Sequence, residues 1–297
     1  MKATVIVPTT GDRGPLLSYS VGSILAQTVR ELEVFIIGDG VEEVTRGAAK
    51  ALERQDPRVR FMDFSKGARR GEIHRHEVLQ KEAGGEIVCY LCDRDLMLPD
   101  HVEVMLGLLT EADFAHTLCV GIRPDGSAKL WEPVLDLTND AHRADVLRGG
   151  VGIPLSFGGH TLAAYRRLPL GWRTTPTGQY TDQYMWHQML VQPGWRFASG
   201  RRPTVLYFRR GEHPGMSSAE RLEELQRHHG KVTDPAEREA FRREVERQLT
   251  RYLERHEGNS RARPDRWTIR EIWQAARRRI PGPVRHWIRR LQGKAMR

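Results

Sequence analysis

The segment "ATVIVPTTGDRGPLLSYSVGSILAQTVRELEVFIIGDG", residues 3–40, contains two apolar runs separated by a helical pattern. The first run, residues 3–8, ends at a proline, and the second ends at the Gly-Asp-Gly of residues 38–40. Between the runs, apolar residues recur at helical spacing, namely Leu16, Leu17, Val21, Ile24 and Leu25. Two short apolar strands joined by a helix are typical of neighbouring parallel strands covered on both faces.

The same alternation continues toward residue 112. Further strand patterns occupy residues 58–64 and 86–92, and helical patterns occupy residues 44–55, 74–84 and 98–112. Strand and helix thus alternate four times with short connections. The sequence therefore predicts an α/β fold with a mostly parallel sheet sandwiched by helices.

Polar side chains follow three of these predicted strands. Thr9 and Thr10 end the first strand, Asp39 ends the second, and Asp93 and Asp95 follow the fourth. Open parallel sheets bind ligands in a crevice beyond the carboxyl ends of their strands. Because buried carboxylates need partners, we expect a ligand or a neighbouring cation opposite these groups.

Composition limits the class of protein. Hydrophobic residues make up 39% and charged residues 29% of the 297 residues, which is typical of a soluble globular chain with a substantial core. Three cysteines argue against a disulfide framework and fit a reducing compartment. The apolar run before Pro8 is too short for a signal peptide or a membrane span, so we expect a cytoplasmic protein.

Residues 3–115 resemble the opening of the family 2 glycosyltransferases. The shared features are Pro-Thr after the first strand, the helix end Ser-Ile-Leu-x-Gln-Thr at residues 23–28, and Glu-Val leading to Asp-Gly at residues 33–40. The segment "GGEIVCYLCDRDLMLPDHVE", residues 84–103, resembles the family's strand, acidic cluster and Leu-x-x-Pro-Asp. The resemblance implies a Rossmann-like GT-A fold and a hexosyltransferase-type enzyme.

The resemblance, together with the helical patterns and the charge of the C-terminal part, predicts a domain organisation. A GT-A domain would span residues 1–215, with a nucleotide-binding half at about 1–115 and an acceptor-binding half at about 116–215. A C-terminal helical extension would follow at residues 216–260, and a basic amphipathic tail at residues 261–297.

Roles for single residues follow from the same resemblance. Asp182 would be the catalytic base that deprotonates the acceptor hydroxyl. Asp39 would accept a hydrogen bond from the nucleobase, and Asp93 would lie near the ribose. The implied donor-binding residues are Pro8, Thr9, Thr10, Asp39, Arg69, Arg70, Asp93 and Arg94. The implied ligands of a Mg²⁺ or Mn²⁺ ion are Asp93, Asp95 and His213.

The acidic cluster departs from the family pattern. When Pro99 and Asp100 are aligned with the family, the usual metal-ligand aspartate falls on Arg94. Either Asp95 takes over the metal together with Asp93, or Arg94 neutralises the diphosphate directly and makes the metal dispensable. We favour the metal, because stabilising leaving-group charge is its usual role.

The predicted function is inverting transfer of a sugar from a nucleotide-sugar donor to a saccharide or lipid-linked acceptor, in polysaccharide or glycolipid synthesis. The alternative is a non-catalytic nucleotide-sugar-binding protein, and Arg94 in the acidic cluster supports it. A nucleotidyltransferase would need a Gly-rich phosphate loop, whereas residues 8–14 contain only two glycines. Four histidines without zinc-ligand spacing are expected at the surface, namely His74, His76, His228 and His229.

Charge is concentrated at the C-terminus. Residues 261–297 contain 12 Lys and Arg against Asp265 and Glu271, a net charge of +10, so the other residues sum to −1. Two segments of this tail place Trp, Ile, Val and Leu on one helical face and arginines on the other. This pattern predicts attachment to an anionic membrane surface on the inner face of the cell membrane. Packing on the body and RNA binding are the alternatives, and no specific nucleic-acid partner is indicated.

Overall fold

The structure is a computed structural model that describes residues 1–209 and 215–257. His213 and the basic tail of residues 261–297, for which metal and membrane roles are predicted, lie outside the described residues. None of the helices within the described ranges combines the length and the apolar character needed to cross a membrane.

The N-terminal half confirms the predicted alternation of strands and helices. Its elements are β1 (Ala3–Gly11), α1 (Gly14–Leu25), β2 (Leu32–Val41), α2 (Glu43–Gln55), β3 (Val59–Phe64), α3 (Glu72–Lys81), β4 (Ile87–Tyr90), β5 (Leu96–Met97) and α4 (His101–Leu109). Residues 5–7 of β1 are fully buried, as expected for a strand covered on both faces.

The second half consists of shorter elements. They are β6 (Phe114–His116), β7 (Val120–Ile122), β8 (Ala128–Leu130), α5 (Asp140–Arg148), a 3-10 turn (Leu155–Phe157), β9 (Gly158–Thr161), α6 (Leu162–Arg167), α7 (Thr181–Leu190), β10 (Phe197–Ser199) and β11 (Val205–Leu206). Three helices follow, namely α8 (Ser218–His228), α9 (Gly230–Thr233) and α10 (Pro235–Glu257).

Seven strands form the main sheet in the order β10-β6-β9-β4-β1-β2-β3. β1 pairs in parallel with both β2 and β4, and β2 pairs in parallel with β3. The carboxyl ends of β2, β1 and β4 are therefore neighbours at one edge of the sheet. These are the three strand ends at which the sequence places its polar residues.

One strand, β9, runs antiparallel between β4 and β6 and was not anticipated from the sequence. Its glycines permit close approach to neighbouring elements. A Cβ atom on Gly159 would lie 2.4 Å from the Met105 Cε and 2.9 Å from the Val88 carbonyl oxygen. A glycine-rich strand lacks the β-branched pattern that predicts strands, because here packing space rather than propensity selects the residues.

A second apolar cluster joins the C-terminal helices to the body. It contains Leu96 and Leu98 after β4, together with Leu225, Val245 and Tyr252 from α8 and α10. The C-terminal helices therefore pack against the segment that follows the acidic cluster.

An ion-pair cluster accompanies this packing. Asp100, only 8% exposed, pairs with Arg242 of α10 at 2.6 Å and with Arg202 at 2.9 Å. The ion pair between Arg242 and Asp100 helps to fix the position of α10 against the rest of the fold.

Candidate active site

The threonines at the end of β1 connect the neighbouring strand ends. The Thr9 hydroxyl donates to the Asp93 Oδ2 at 3.0 Å, and the Thr10 hydroxyl donates to the Asp39 carbonyl oxygen at 2.7 Å. Pro8, one residue earlier, lies opposite Ile37 of β2. Asp39 and Asp93 therefore flank the same short stretch of β1.

Asp39 is enclosed by the loop that follows β3. The carboxylate accepts a hydrogen bond from the Gly67 amide at 2.6 Å and forms an ion pair with Lys66. The His74 Nε2 lies 3.5 Å from the carboxylate, and the residue is only 8% exposed. The expectation of a surface position for His74 was wrong, because α3 turns this side chain toward Asp39. It was also wrong for His228, which is 5% exposed. Lys66 carried no sequence signal beyond its charge.

Asp93 is also held by a cation. The Arg13 Nη1 lies 3.2 Å from each carboxylate oxygen, and Asp93 is only 2% exposed. Arg13 stands between β1 and α1, in a loop that opens at the same sheet edge. The sequence shows a basic residue in this loop, which is compatible with a binding site. Only the ion pair with Asp93 identifies Arg13 as part of the candidate site.

Asp95 faces the interior of the protein. The side chain is fully buried, and its oxygens accept from the Ser156 hydroxyl at 2.6 Å and the Phe208 amide at 3.1 Å. Burial raises the pKa of Asp95 to about 6, although these hydrogen bonds and Arg94 oppose the rise. This geometry does not favour the predicted role of Asp95 as a metal ligand, because the carboxylate already serves protein donors.

Arg94 lies between Asp93 and Asp95 in the sequence. Its side chain contacts a different part of the chain, near Phe208. Its Nε donates to the Phe208 carbonyl oxygen at 3.2 Å, and the side chain is half-buried. Across residues 1–209 and 215–257, no three His, Cys, Asp or Glu side chains are grouped so that they could hold a metal ion. Asp95 is enclosed by protein donors, and Asp93 forms an ion pair with Arg13. The two aspartates therefore do not fit a divalent ion.

Asp182 lies in the first turn of α7. One carboxylate oxygen accepts from the Gln183 amide at 2.9 Å, and the other accepts from the Leu155 amide at 3.2 Å. Burial raises the pKa of Asp182, while these amides and the charge of Arg75 oppose the rise. A partly desolvated carboxylate of this kind is more basic than one in water.

The 3-10 turn brings Asp182 and the acidic cluster together. Its Leu155 amide binds Asp182, and its Ser156 hydroxyl donates to Asp95 and accepts from the Cys92 amide at 3.0 Å. The pKa of Tyr207 is raised by burial and, in part, by the charges of Asp95 and Asp182. The α7 carboxylate and the loop after β4 thus share one neighbourhood. Ser156 had no recognisable signal in the sequence.

Two of the three predicted donor-binding arginines, Arg69 and Arg70, differ in their surroundings. The Arg69 Nη1 donates to the Thr175 carbonyl oxygen at 2.9 Å and so links the loop after β3 to the segment before α7. The Arg70 side chain is exposed, and its amide donates to the Glu72 carboxylate at 2.8 Å. Arg69 therefore has a structural contact in this state, whereas the Arg70 side chain is open to solvent.

Sequence comparison identifies relatives of this chain. Residues 4–171, more than half of the chain, match glycosyl transferase family 2. Over 117 residues the chain is 30% identical to the uncharacterized glycosyltransferase YwdF of Bacillus subtilis (strain 168), covering 39% of this chain and 41% of that protein. It is 27% identical over 115 residues to the GalNAc(5)-diNAcBac-PP-undecaprenol beta-1,3-glucosyltransferase of Campylobacter jejuni, covering 39% and 36%. The matched part is about two fifths of the length of these curated relatives.

Solved structures share the fold. S. aureus TarS 1–349 superposes with a TM-score of 0.58 at 13% identity, covering 96% of this chain and 82% of that chain. The same protein in complex with UDP-GlcNAc gives a TM-score of 0.55 at 16% identity, covering 96% and 83%. The mannosyltransferase PcManGT from Pyrobaculum calidifontis, in complex with GDP-Man and Mn²⁺, gives 0.50 at 14%, covering 96% and 82%. The matched residues and the shared architecture establish that this chain belongs to glycosyl transferase family 2 and has the GT-A fold.

Proposed function

We propose that this protein is an inverting glycosyltransferase that moves a sugar from a nucleotide-sugar donor to a saccharide or lipid-linked acceptor. The observation that carries the proposal is the position of Asp182 in a family 2 chain. A desolvated carboxylate on α7 is joined through residues 155–156 to the loop after β4. A base and a phosphate-facing loop side by side are what glycosyl transfer requires.

The donor would lie along the ends of β2, β1 and β4. The Asp39 carboxylate can accept a hydrogen bond from a nucleobase, and the Thr9–Asp93 pair can bind ribose hydroxyls. Because Lys66 occupies Asp39, the incoming base has to displace that ammonium group. Lys66 is 52% exposed, so water can solvate its ammonium group once it leaves Asp39, whose carboxylate keeps the hydrogen bond from the Gly67 amide.

The chemistry would be a single displacement. Loss of the nucleoside diphosphate leaves oxocarbenium-like charge at the anomeric carbon of the sugar. Asp182 would take the proton from the attacking acceptor hydroxyl as the new glycosidic bond forms. One displacement with one base inverts the anomeric centre.

The acceptor would approach past the residues that precede α7. Tyr180 is 78% exposed, the greatest exposure among the large hydrophobic side chains of the described residues. It stands two positions before Asp182, so a sugar ring resting on its face would be close to the base. The Campylobacter relative is named for a lipid-linked substrate, which supports an acceptor of that class. Attachment to an anionic membrane through residues 261–297 would bring the enzyme to such an acceptor.

The predicted donor site includes a divalent ion. Mn²⁺ accompanies GDP-Man in one structure of the same fold. In this chain Asp95 serves protein donors and Asp93 is paired with Arg13. These two carboxylates therefore do not fit the predicted Mg²⁺ or Mn²⁺, and Arg94 is the alternative source of positive charge at the diphosphate.

The proposal is tested by incubating the full-length chain with UDP-Glc, UDP-GlcNAc, UDP-GalNAc and GDP-Man and measuring release of the nucleoside diphosphate. Each donor is paired with free oligosaccharides and with polyprenyl-diphosphate-linked saccharides. Acceptor-dependent release is the expected result. Tight binding of a donor without release, for every acceptor, would favour the non-catalytic binding protein instead.

A further inference from the structure

We propose that Arg13, Arg94 and Arg221 together bind the donor diphosphate and do so without a divalent ion. This inference rests on the proposed function, since it concerns how the nucleotide-sugar phosphates are held. It assigns a part of the donor site to α8, a helix of the C-terminal extension.

The three arginines come from separate elements that the fold brings together. Arg13 precedes α1, Arg94 lies in the loop after β4, and Arg221 lies in the first turns of α8. Two contacts hold α8 against the α1 region. The Ser218 hydroxyl donates to Asp12 at 2.9 Å, and the Tyr19 ring meets the His229 ring edge-on at 5.2 Å.

The charges of all three arginines act on one carboxylate, that of Asp93, and Arg13 contacts it directly. The Arg13 Nη1 is 3.2 Å from both oxygens of Asp93, and Asp93 also interacts electrostatically with Arg94 and Arg221. Glu224 adds a second acid beside Arg221.

The arginines also repel one another. The pKa of Arg221 is lowered, first by burial and then by the charges of Arg94 and Arg13. On Arg94, burial is opposed by the charges of Asp95 and Asp93, which act in the opposite sense and raise its pKa, so acidic and basic side chains are mixed at this site. A diphosphate would add negative charge to this cluster, and guanidinium groups bind phosphate oxygens through paired hydrogen bonds.

The carboxylates of the same loop are poorly suited to a metal. Hard divalent ions need several oxygen ligands that are not already engaged. Asp95 is fully buried and accepts hydrogen bonds from the Ser156 hydroxyl and the Phe208 amide. Both carboxylate oxygens of Asp93 lie next to the Arg13 guanidinium group. The three arginines thus supply the positive charge beside Asp93 that a divalent ion would otherwise provide.

The first test measures binding of UDP and GDP to the full-length protein by isothermal titration calorimetry, in EDTA and in Mn²⁺. The dissociation constant of the preferred nucleotide is expected to agree within about threefold between the two conditions. Binding that is lost in EDTA and restored by Mn²⁺ would overturn this inference while leaving the proposed function in place. If neither nucleotide binds under either condition, the proposed function fails and the inference fails with it.

The second test changes the arginines. Arg13→Gln, Arg94→Gln and Arg221→Gln are each expected to weaken nucleotide binding in EDTA by roughly 10- to 100-fold, the range for charge-assisted hydrogen bonds. Arg167→Gln is the matched control, because this 62% exposed arginine also pairs with an aspartate, Asp113, but in another part of the fold. Circular dichroism verifies folding of each variant, and folded variants that bind like the wild type would overturn the assignment.

The third test reverses the charge at one position. Arg94→Asp places a carboxylate beside Asp93, so nucleotide binding by this variant should fall in EDTA and recover with Mn²⁺. An Arg94→Asp protein that binds as tightly as the wild type in EDTA would remove Arg94 from the diphosphate site. Because the wild-type measurement in EDTA needs no variant, the inference stays testable even if Arg94→Asp fails to fold.

Discussion

At the scale of single residues, the carboxylates of Asp95 and Asp182 have raised pKa values for the same physical reason and yet suit different roles. Desolvation raises the pKa of both Asp95 and Asp182. Asp95 is fully buried and bound to a hydroxyl and an amide, whereas Asp182 keeps partial exposure at the start of α7. Access, rather than basicity, makes Asp182 the candidate base.

Asp182→Asn is expected to lower the turnover number by roughly two orders of magnitude or more, because a positioned general base contributes that much. Donor binding should persist, since the substitution conserves shape. The turnover number and the donor dissociation constant are the quantities to measure. Glu77→Gln, on the exposed face of α3, is the control. Unchanged turnover in Asp182→Asn would remove this residue from the role.

The pH dependence of the wild-type rate follows from the same carboxylate. The pKa of Asp182 is raised above its ordinary value of 3.8, mainly by burial. As pH falls through the raised pKa, the carboxylate becomes protonated and can no longer accept a proton from the acceptor. The rate should therefore decline at a higher pH than an ordinary aspartate would cause. A pH–rate profile that stays flat down to the ordinary value would contradict this assignment.

Asp95→Asn tests the structural role of that residue. Its pKa of about 6 in the fold exceeds the ordinary 3.8, so the folded state holds the proton more tightly. Asp95 contributes most to the free energy of unfolding below pH 3.8. This contribution falls by about 3 kcal/mol as the pH rises from 3.8 through 6. The variant should therefore lose less unfolding free energy than the wild type between pH 4 and pH 7. Urea unfolding at both pH values measures the difference, and equal losses would contradict it.

At the scale of elements, the placement of α7 depends on α3. The Glu72 carboxylate of α3 accepts from the Thr175 amide at 3.3 Å and from the Thr181 hydroxyl at 3.4 Å. The Arg75 guanidinium lies over the Trp172 ring at 4.4 Å and interacts with Asp182. The helix α3 thereby positions the segment that carries Asp182.

Tyr180→Ala tests the acceptor surface in front of α7. The exposed ring is expected to contribute aromatic contact with a sugar, so its loss should raise the acceptor KM by roughly 2- to 10-fold. Tyr180→Phe keeps the ring and should stay close to the wild type. Donor KM should be unaffected in both variants. Equal acceptor KM for the wild type and Tyr180→Ala would exclude the contact.

At the scale of the whole molecule, the C-terminal helices are part of the folded body. The second apolar cluster unites residues after β4 with α8 and α10, and Asp100 adds ion pairs to Arg202 and Arg242. This packing lies directly after the acidic cluster in the chain. Helices α8 and α10 therefore support the loop that forms part of the candidate donor site.

Deletion of residues 261–297 should abolish sedimentation with phosphatidylglycerol vesicles while leaving nucleoside diphosphate release from a soluble acceptor unchanged. The basis is the net charge of +10 in this segment together with its apolar helical faces. Binding of the full chain should weaken as salt is raised, because salt screens surface charge. Truncated protein that still sediments with the vesicles would show that the membrane contact lies elsewhere.

Local pattern accounts for what could be predicted. The apolar runs at residues 3–8 and 86–92 and the helices between them follow from periodicity, which acts over a few residues. They place Thr9, Asp39 and Asp93 at neighbouring strand ends, as the pairing of β1 with β2 and β4 confirms. The short β9 escaped prediction because its glycines are selected by contact with β4 and α4.

The sequence by itself determined the α/β architecture, the family and the strand ends at which the polar residues stand. Only the tertiary structure decided which charges meet, since Arg13 pairs with Asp93 across 80 residues and Ser156 binds Asp95 across 61. Such pairs have no local periodicity, because their energy depends on burial and on atoms that are adjacent only after the chain has folded. For that reason the position of Asp95 in the sequence suggested a metal ligand, while its surroundings in the fold are those of a buried structural carboxylate.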